Sequence, residues 1–230
     1  MYLDGEEYLS IGSYLLVIGT FVSAVGETIY GTELENLNNK LIRDGNAVQA
    51  LGNSFQGFGR ISLSDIEEES NVYSIMGCFT QAGGNTLNSA ATNLEIESPS
   101  AESTRLNSLG SSVQSMGAAL EAYGLANSKS DYFIKLEVLG SSLISIAALL
   151  DSIGILARDE NSLQKEFFLQ RADGWSLLAH QLEPMRLIRK LKWGERLVDS
   201  FIPLTIAFFS LNINSYSEII NPVLKINLLI

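Results

Sequence analysis

An all-α fold, an antiparallel up-and-down helical repeat bundle of about five long helices followed by an irregular C-terminal tail, is predicted by three observations. Glycine or alanine returns at every seventh position in five blocks, apolar residues inside the blocks alternate in steps of three and four, and short polar breaks separate one block from the next. The spacing runs Gly12, Gly19, Gly26; Gly45, Gly52, Gly59; Gly77, Gly84, Ala91; Gly110, Gly117, Gly124; and Gly140, Ala147, Gly154. Blocks recurring at roughly 30 residues have the period of a helical repeat unit.

The first block carries Tyr8, Ile11, Leu15, Ile18, Val22, Val25 and Ile29 along one stripe. In the fourth the same stripe reads Leu106, Leu109, Val113, Met116, Leu120, Tyr123, and in the fifth Leu136, Leu139, Leu143, Ile146, Leu150, Ile153. Each is a heptad seam, with apolar side chains at a and d, and it predicts that these residues face inward. Glycine follows each d residue, as in Leu51-Gly52, Met76-Gly77 and Leu139-Gly140, and so occupies the shoulder of the seam. Breaks are expected near 31–35, 59–65, 97–101, 127–131 and 159–162. Ser64 or Asp65 before Glu67, Glu68 and Glu69, Ser100 before Glu102, and the pair Ser130-Asp131 supply capping chemistry. The three consecutive glutamates therefore read as a helix start that complements the dipole, rather than as a metal cluster.

Glycine in a helix interior costs about 1 kcal/mol relative to alanine, so a recurrent row of it has to be offset elsewhere. Close approach of a neighbouring backbone is the expected return. The candidate packing and interaction residues are accordingly Gly12, Gly19, Gly26, Gly45, Gly52, Gly77, Gly84, Gly110, Gly117, Gly124 and Gly140. Gln49, Gln81 and Gln114 each stand four residues after a block glycine. The heptad places them at the solvated b position, with amide bridges between helices as the second reading.

The formal net charge of -11 disfavours nucleic acid, whose binders cluster Lys and Arg against phosphate. The acidic start lacks the basic region of a secretory signal. Nineteen uncharged residues from Tyr8 to Gly26 approach the length of a membrane span. Against insertion stand Asn46, Gln49, Asn53, Gln56, Gln81, Asn85 and Asn88, which would be costly in lipid.

No catalytic, cofactor or metal constellation emerges. A single cysteine, Cys78, reads as a small helix-face residue, and a single histidine, His180, excludes multi-histidine zinc sites. Gly57-Phe58-Gly59 lacks the third glycine of a dinucleotide loop, and Ser162 with Lys165 matches a serine-nucleophile spacing without its companion motifs.

Two regions are expected: a helical repeat domain over 1–170 and an atypical tail over 171–230. The first holds 8 Lys and Arg against 21 Asp and Glu, the second 7 against 5 together with both tryptophans, His180 and three of the four prolines. The tail reads as a small appended helical segment or as a stretch translated out of frame from a sixth block.

The blocks Ile11 to Thr28 (IGSYLLVIGTFVSAVGET) and Gly45 to Gly59 (GNAVQALGNSFQGFG) resemble a family of bacterial repetitive proteins of unknown function, with repeats such as IGSWIQAIGTVIAAIG and GNALQATGNALQA. The resemblance covers residues 1 to about 157, and this chain lacks the tryptophan at the second position after glycine. It implies a repeat architecture and transfers no catalytic residue. The functional expectation is a non-enzymatic helical protein of the cytoplasm, acting through helix packing, self-association as a homo-oligomer, or a protein partner. The alternative is a membrane- or lipid-associated bundle with residues 8–26 inserting.

Overall fold

The computed structural model describes residues 3–28, 35–63, 67–128 and 132–156. Every element among them is a helix: α1 Gly5–Thr28, α2 Glu35–Leu63, α3 Glu69–Glu97, α4 Ala101–Ala126 and α5 Tyr132–Leu156. Each helix packs on the next in the chain, α1 on α2, α2 on α3, α3 on α4 and α4 on α5. His180, the Ser162 to Lys165 match, the Ser130-Asp131 cap, the 159–162 break and the 171–230 tail lie outside the described residues.

Local chemistry sets the helix ends. α4 starts as expected at Ser100, whose hydroxyl accepts from the Ser103 N–H, and the Ser103 hydroxyl reciprocates at the Ser100 N–H to complete a capping box. α1 has a second capping box that the sequence reading missed: Glu7 N–H donates to Asp4 Oδ1 at 2.8 Å, and Asp4 N–H to Glu7 Oε2 at 3.0 Å. At α3 the cap position is Glu68, with no side-chain cap bond, while Ser64 and Asp65 lie outside the described residues. α2 runs through Gly59 and ends at Leu63, within the expected 59–65 break, and Gly59 lies against the start of α1, where a Cβ on it would meet the Gly5 carbonyl oxygen at 2.8 Å.

Which face of each helix points inward is the main correction. Leu109, Met116 and Tyr123 on α4, and Leu139, Ile146 and Ile153 on α5, are exposed, Met116 at 65%. The a residues Leu106, Val113, Leu120, Leu136, Leu143 and Leu150 are half-buried. Inside stand Gly110, Ser111, Gln114, Ser115, Gly117, Ala118, Glu121 and Ala122 of α4, and Gly140, Ser141, Ile144, Ala147 and Ala148 of α5. The bundle is thus built on the small-residue faces, and the heptad seam forms its outer belt. The cause is steric. Two helices approach most closely where side chains are smallest, and once glycine sets that line the bulky d residue beside it is turned away from the contact.

The glycines mate pairwise across two antiparallel hairpins. In α1 and α2 a Cβ on Gly12 would lie 2.7 Å from the Gly52 carbonyl oxygen, and one on Gly19 the same distance from that of Gly45. In α3 and α4 a Cβ on Gly77 would meet Gly117 O at 2.7 Å, and one on Gly84 would meet Gly110 O at 2.7 Å. Real Cβ atoms do not approach backbone this closely, so these positions admit hydrogen alone. Gly83, one residue from Gly84, is exposed with nothing within 4 Å of its would-be Cβ. Gly83→Ala should therefore stabilise the helix by up to about 1 kcal/mol, whereas Gly84→Ala should destabilise it. Parallel thermal melts of the two variants check the contrast, and equal shifts would dismiss close approach as the reason for the row.

Candidate functional site: a polar interior within an apolar belt

The glutamines sit inside, not at solvated positions. Gln49, Gln56, Gln81 and Gln114 are all buried, Gln81 at 1% exposure. Their place four residues after a glycine brings them over the facing glycine of the partner helix. A Cβ on Gly12, Gly19 or Gly117 would meet the Cγ of Gln56, Gln49 or Gln81 respectively, each at 2.8 Å. The methylenes cover the bare backbone while the amide reaches a polar group across the interface. Gln56 Nε2 donates to Ser13 Oγ and Gln49 Nε2 to Ser23 Oγ, each at 3.3 Å, and Gln81 Nε2 donates to Glu121 Oε2 at 2.6 Å.

The α4–α5 interface uses hydroxyls in the same way. Ser108 and Ser152 exchange bonds onto each other's carbonyl oxygen at 3.0 Å, Ser112 and Ser152 lie 2.7 Å apart through their hydroxyls, and Ser115 donates to Ser145 O at 2.8 Å. Between α2 and α3, Arg43 donates to Asn93 Oδ1 at 3.2 Å, Ser89 donates to Arg43 O at 3.0 Å, and Phe58 meets Phe79 edge-on at 5.4 Å.

Charged residues near one end of the bundle converge on an interior cluster. Arg60 of α2 donates to Glu121 Oε1 of α4 at 2.6 Å and stands 3.9 Å from Glu137 Oε2 of α5. Cys78 of α3 lies 3.5 Å from Glu121 Oε1, so Glu121, at 0% exposure, is gripped from two neighbouring helices. Cys78 keeps its small size at a helix face, as expected, and is also part of this network. Sequence reasoning missed Arg60, Glu121 and Glu137. Their signal was available: Arg60 and Glu121 each follow fifteen uncharged residues, 45–59 and 106–120.

At the opposite end the interior opens into a cavity of about 290 Å³ with walls from all five helices. Glu27, Glu95 and Asp151 supply its charge. Between the two ends lie buried polar atoms without a hydrogen-bond partner: Asn53 Nδ2, Ser141 Oγ, and both amide atoms of Asn85.

The eleven predicted glycines do not form one site. Gly12 with Gly52, Gly19 with Gly45, Gly77 with Gly117 and Gly84 with Gly110 line two hairpin interfaces; Gly26 lies against Asn38, Gly124 against Ser70 and Ser74, and Gly140 is buried in α5. By length and apolar composition, α1 (Gly5–Glu27) and α5 (Tyr132–Leu156) are each sufficient to cross a membrane, with mean hydropathy 1.8 and 1.9.

Neither the curated proteins nor the solved structures contain a match to the chain. One family model does match, over residues 7–176, a span that takes in all but the first two residues of α1 and the whole of α2 to α5. The chain belongs to that family, a family of unknown function designated DUF6944.

Proposed function

We propose that this chain is a non-enzymatic, membrane-embedded helical bundle whose glycine, serine and glutamine faces hold the helices together while the heptad seams face lipid. The observation that carries the reading is the distribution of charge. Residues 8–26, 45–59, 70–94, 106–120 and 138–150 contain no charged residue, and the charges that border three of these stretches, Arg60, Glu121 and Glu137, point inward onto one another. Exposed charges such as Glu6, Lys40, Asp44, Glu69, Glu97, Arg105 and Lys135 stay within about ten residues of a helix end. The nineteen residues from Gly45 to Leu63 rise about 28 Å, close to the ~30 Å of a hydrocarbon core.

Most of the polar residues that argued against insertion lose that force, since Gln49, Asn53, Gln56, Gln81, Asn85 and Asn88 are buried inside the bundle and Asn46 is half-buried. In lipid, where apolar burial gives no net drive between helices, small residues and interhelical hydrogen bonds are what hold a bundle together. Large apolar residues contribute little to this interior: Leu16, Leu125 and Ile144 are the buried ones among the described residues.

Full-length protein should remain in the membrane pellet through a wash in alkaline carbonate and come out with mild detergent. The second reading is an aqueous assembly in which copies bury the belts on one another, favoured by the fact that only two of the described helices are apolar enough for a span. Recovery without detergent as an oligomer of defined mass would replace the first reading by the second.

A further inference from the structure

We propose that the five-helix cavity is a binding site for a small aliphatic amine cation. Its charged lining residues are Glu27 of α1, Glu95 of α3 and Asp151 of α5, and no lysine or arginine lines it. Ser111 Oγ donates to Asp151 Oδ2 at 2.5 Å, and Ser103 Oγ donates to Glu95 Oε2. Each hydroxyl orients one carboxylate oxygen, and a carboxylate accepts at two.

Asn88, on the same wall and 3% exposed, gives its amide N–H to Ser111 at 3.3 Å. Its amide oxygen, lodged beside the bare α-carbon of Gly110, has no hydrogen-bond partner, so an acceptor awaits a donor there. Backbone electrostatics act in the same direction. This end of the bundle gathers the C-termini of α1, α3 and α5 against the N-termini of only α2 and α4, and none of those three C-termini carries a basic residue in its last turn. Helix C-termini bear partial negative charge that a cation offsets.

Size and wall chemistry narrow the class. The volume lies at the lower limit of small-molecule sites, about 300 Å³, and Ile144, Ala147 and Ala148 of α5 give one side an apolar surface for a short carbon stem. The carboxylates are spread over three helices, and among the described residues no three acidic, histidine or cysteine side chains gather closely enough to hold a metal ion. A cation that binds through N–H donors fits that spread; a chelated divalent ion does not. None of the exposed apolar residues of the outer belt lines the cavity, so the proposal stands whether lipid or another copy covers that belt.

The test is calorimetric titration of the purified full chain, in detergent where required, with putrescine as the probe. Its neutral isostere butanediol and calcium chloride at matched ionic strength serve as controls. Putrescine should bind saturably, neither control should match it, and Asp151→Asn and Glu95→Gln should each weaken binding at least about tenfold. Glu97→Gln, an exposed helix-end change, should leave it unaltered. Absence of saturable binding, equal affinity in Asp151→Asn, or equal heat from butanediol or calcium overturns the proposal. Circular dichroism checks each variant's fold; if Asp151→Asn loses helicity, Glu95→Gln and the butanediol comparison decide.

Discussion

Gly117→Leu will lower the melting temperature sharply or prevent assembly of the bundle, and even Gly117→Ala will destabilise. Intrinsic propensity predicts the opposite sign, since removing a helix-interior glycine favours an isolated helix by up to about 1 kcal/mol. The structure decides between them. A Cβ at residue 117 would stand 2.6 Å from the Gln81 nitrogen and 2.9 Å from the Gly77 carbonyl oxygen, both backbone atoms that cannot swing aside. Overpacking of a tight interface costs about 1 to 3 kcal/mol, enough to outweigh the propensity gain, and leucine adds three more carbons to the same gap. Thermal melts and sedimentation mass of both variants beside the parent read out the sign. Should both melt higher at the parent's mass, the α3–α4 contact is not what glycine is there for.

Arg60→Met should be the most damaging change in the interior. The guanidinium is the positive charge facing Glu121 and Glu137, and its loss leaves carboxylates buried without it. Breaking a buried ion pair from one side costs about 3 to 5 kcal/mol, while replacing both partners with apolar groups of similar volume is often neutral. The double variant Arg60→Met, Glu121→Met should therefore recover most of what the single variant loses. Chemical denaturation of the parent, both single variants and the double variant gives the coupling directly. If Arg60→Met alone unfolds at the parent's denaturant concentration, the cluster contributes nothing to holding the four helices together.

The helices and their order were legible because heptad spacing and polar breaks are local signals: Ser100 as the cap of α4 could be read from three residues. The inward face was not legible. A period of seven identifies a stripe of Leu109, Met116 and Tyr123, but placing that stripe inside assumes that water is outside. The glycine row carries no such assumption, since a bare backbone permits contact in any solvent, and Gly117 and Gly77 lie against each other across α3 and α4. The glutamines were misplaced for the same reason, their b position being solvated only if a and d form the core. The Arg60 cluster and the cavity were out of reach because each unites residues from at least three helices, and no spacing in the chain encodes which turns of which helices meet.

An interface of equally spaced glycines has an inherent degeneracy. Sliding α3 along α4 by seven residues would again place glycine opposite glycine over part of the contact, and the same is true of α1 along α2. Nothing in the periodic row distinguishes the correct alignment from its translated copies. Distinction comes from groups that occur once: Glu121 finds Gln81 and Arg60, Ser111 finds Asn88 and Asp151, and Ser103 finds Glu95 in a single alignment. These aperiodic polar contacts thus act as a vernier on a repeating scale, so that variants lacking them should keep their helices yet populate several staggered arrangements in place of one.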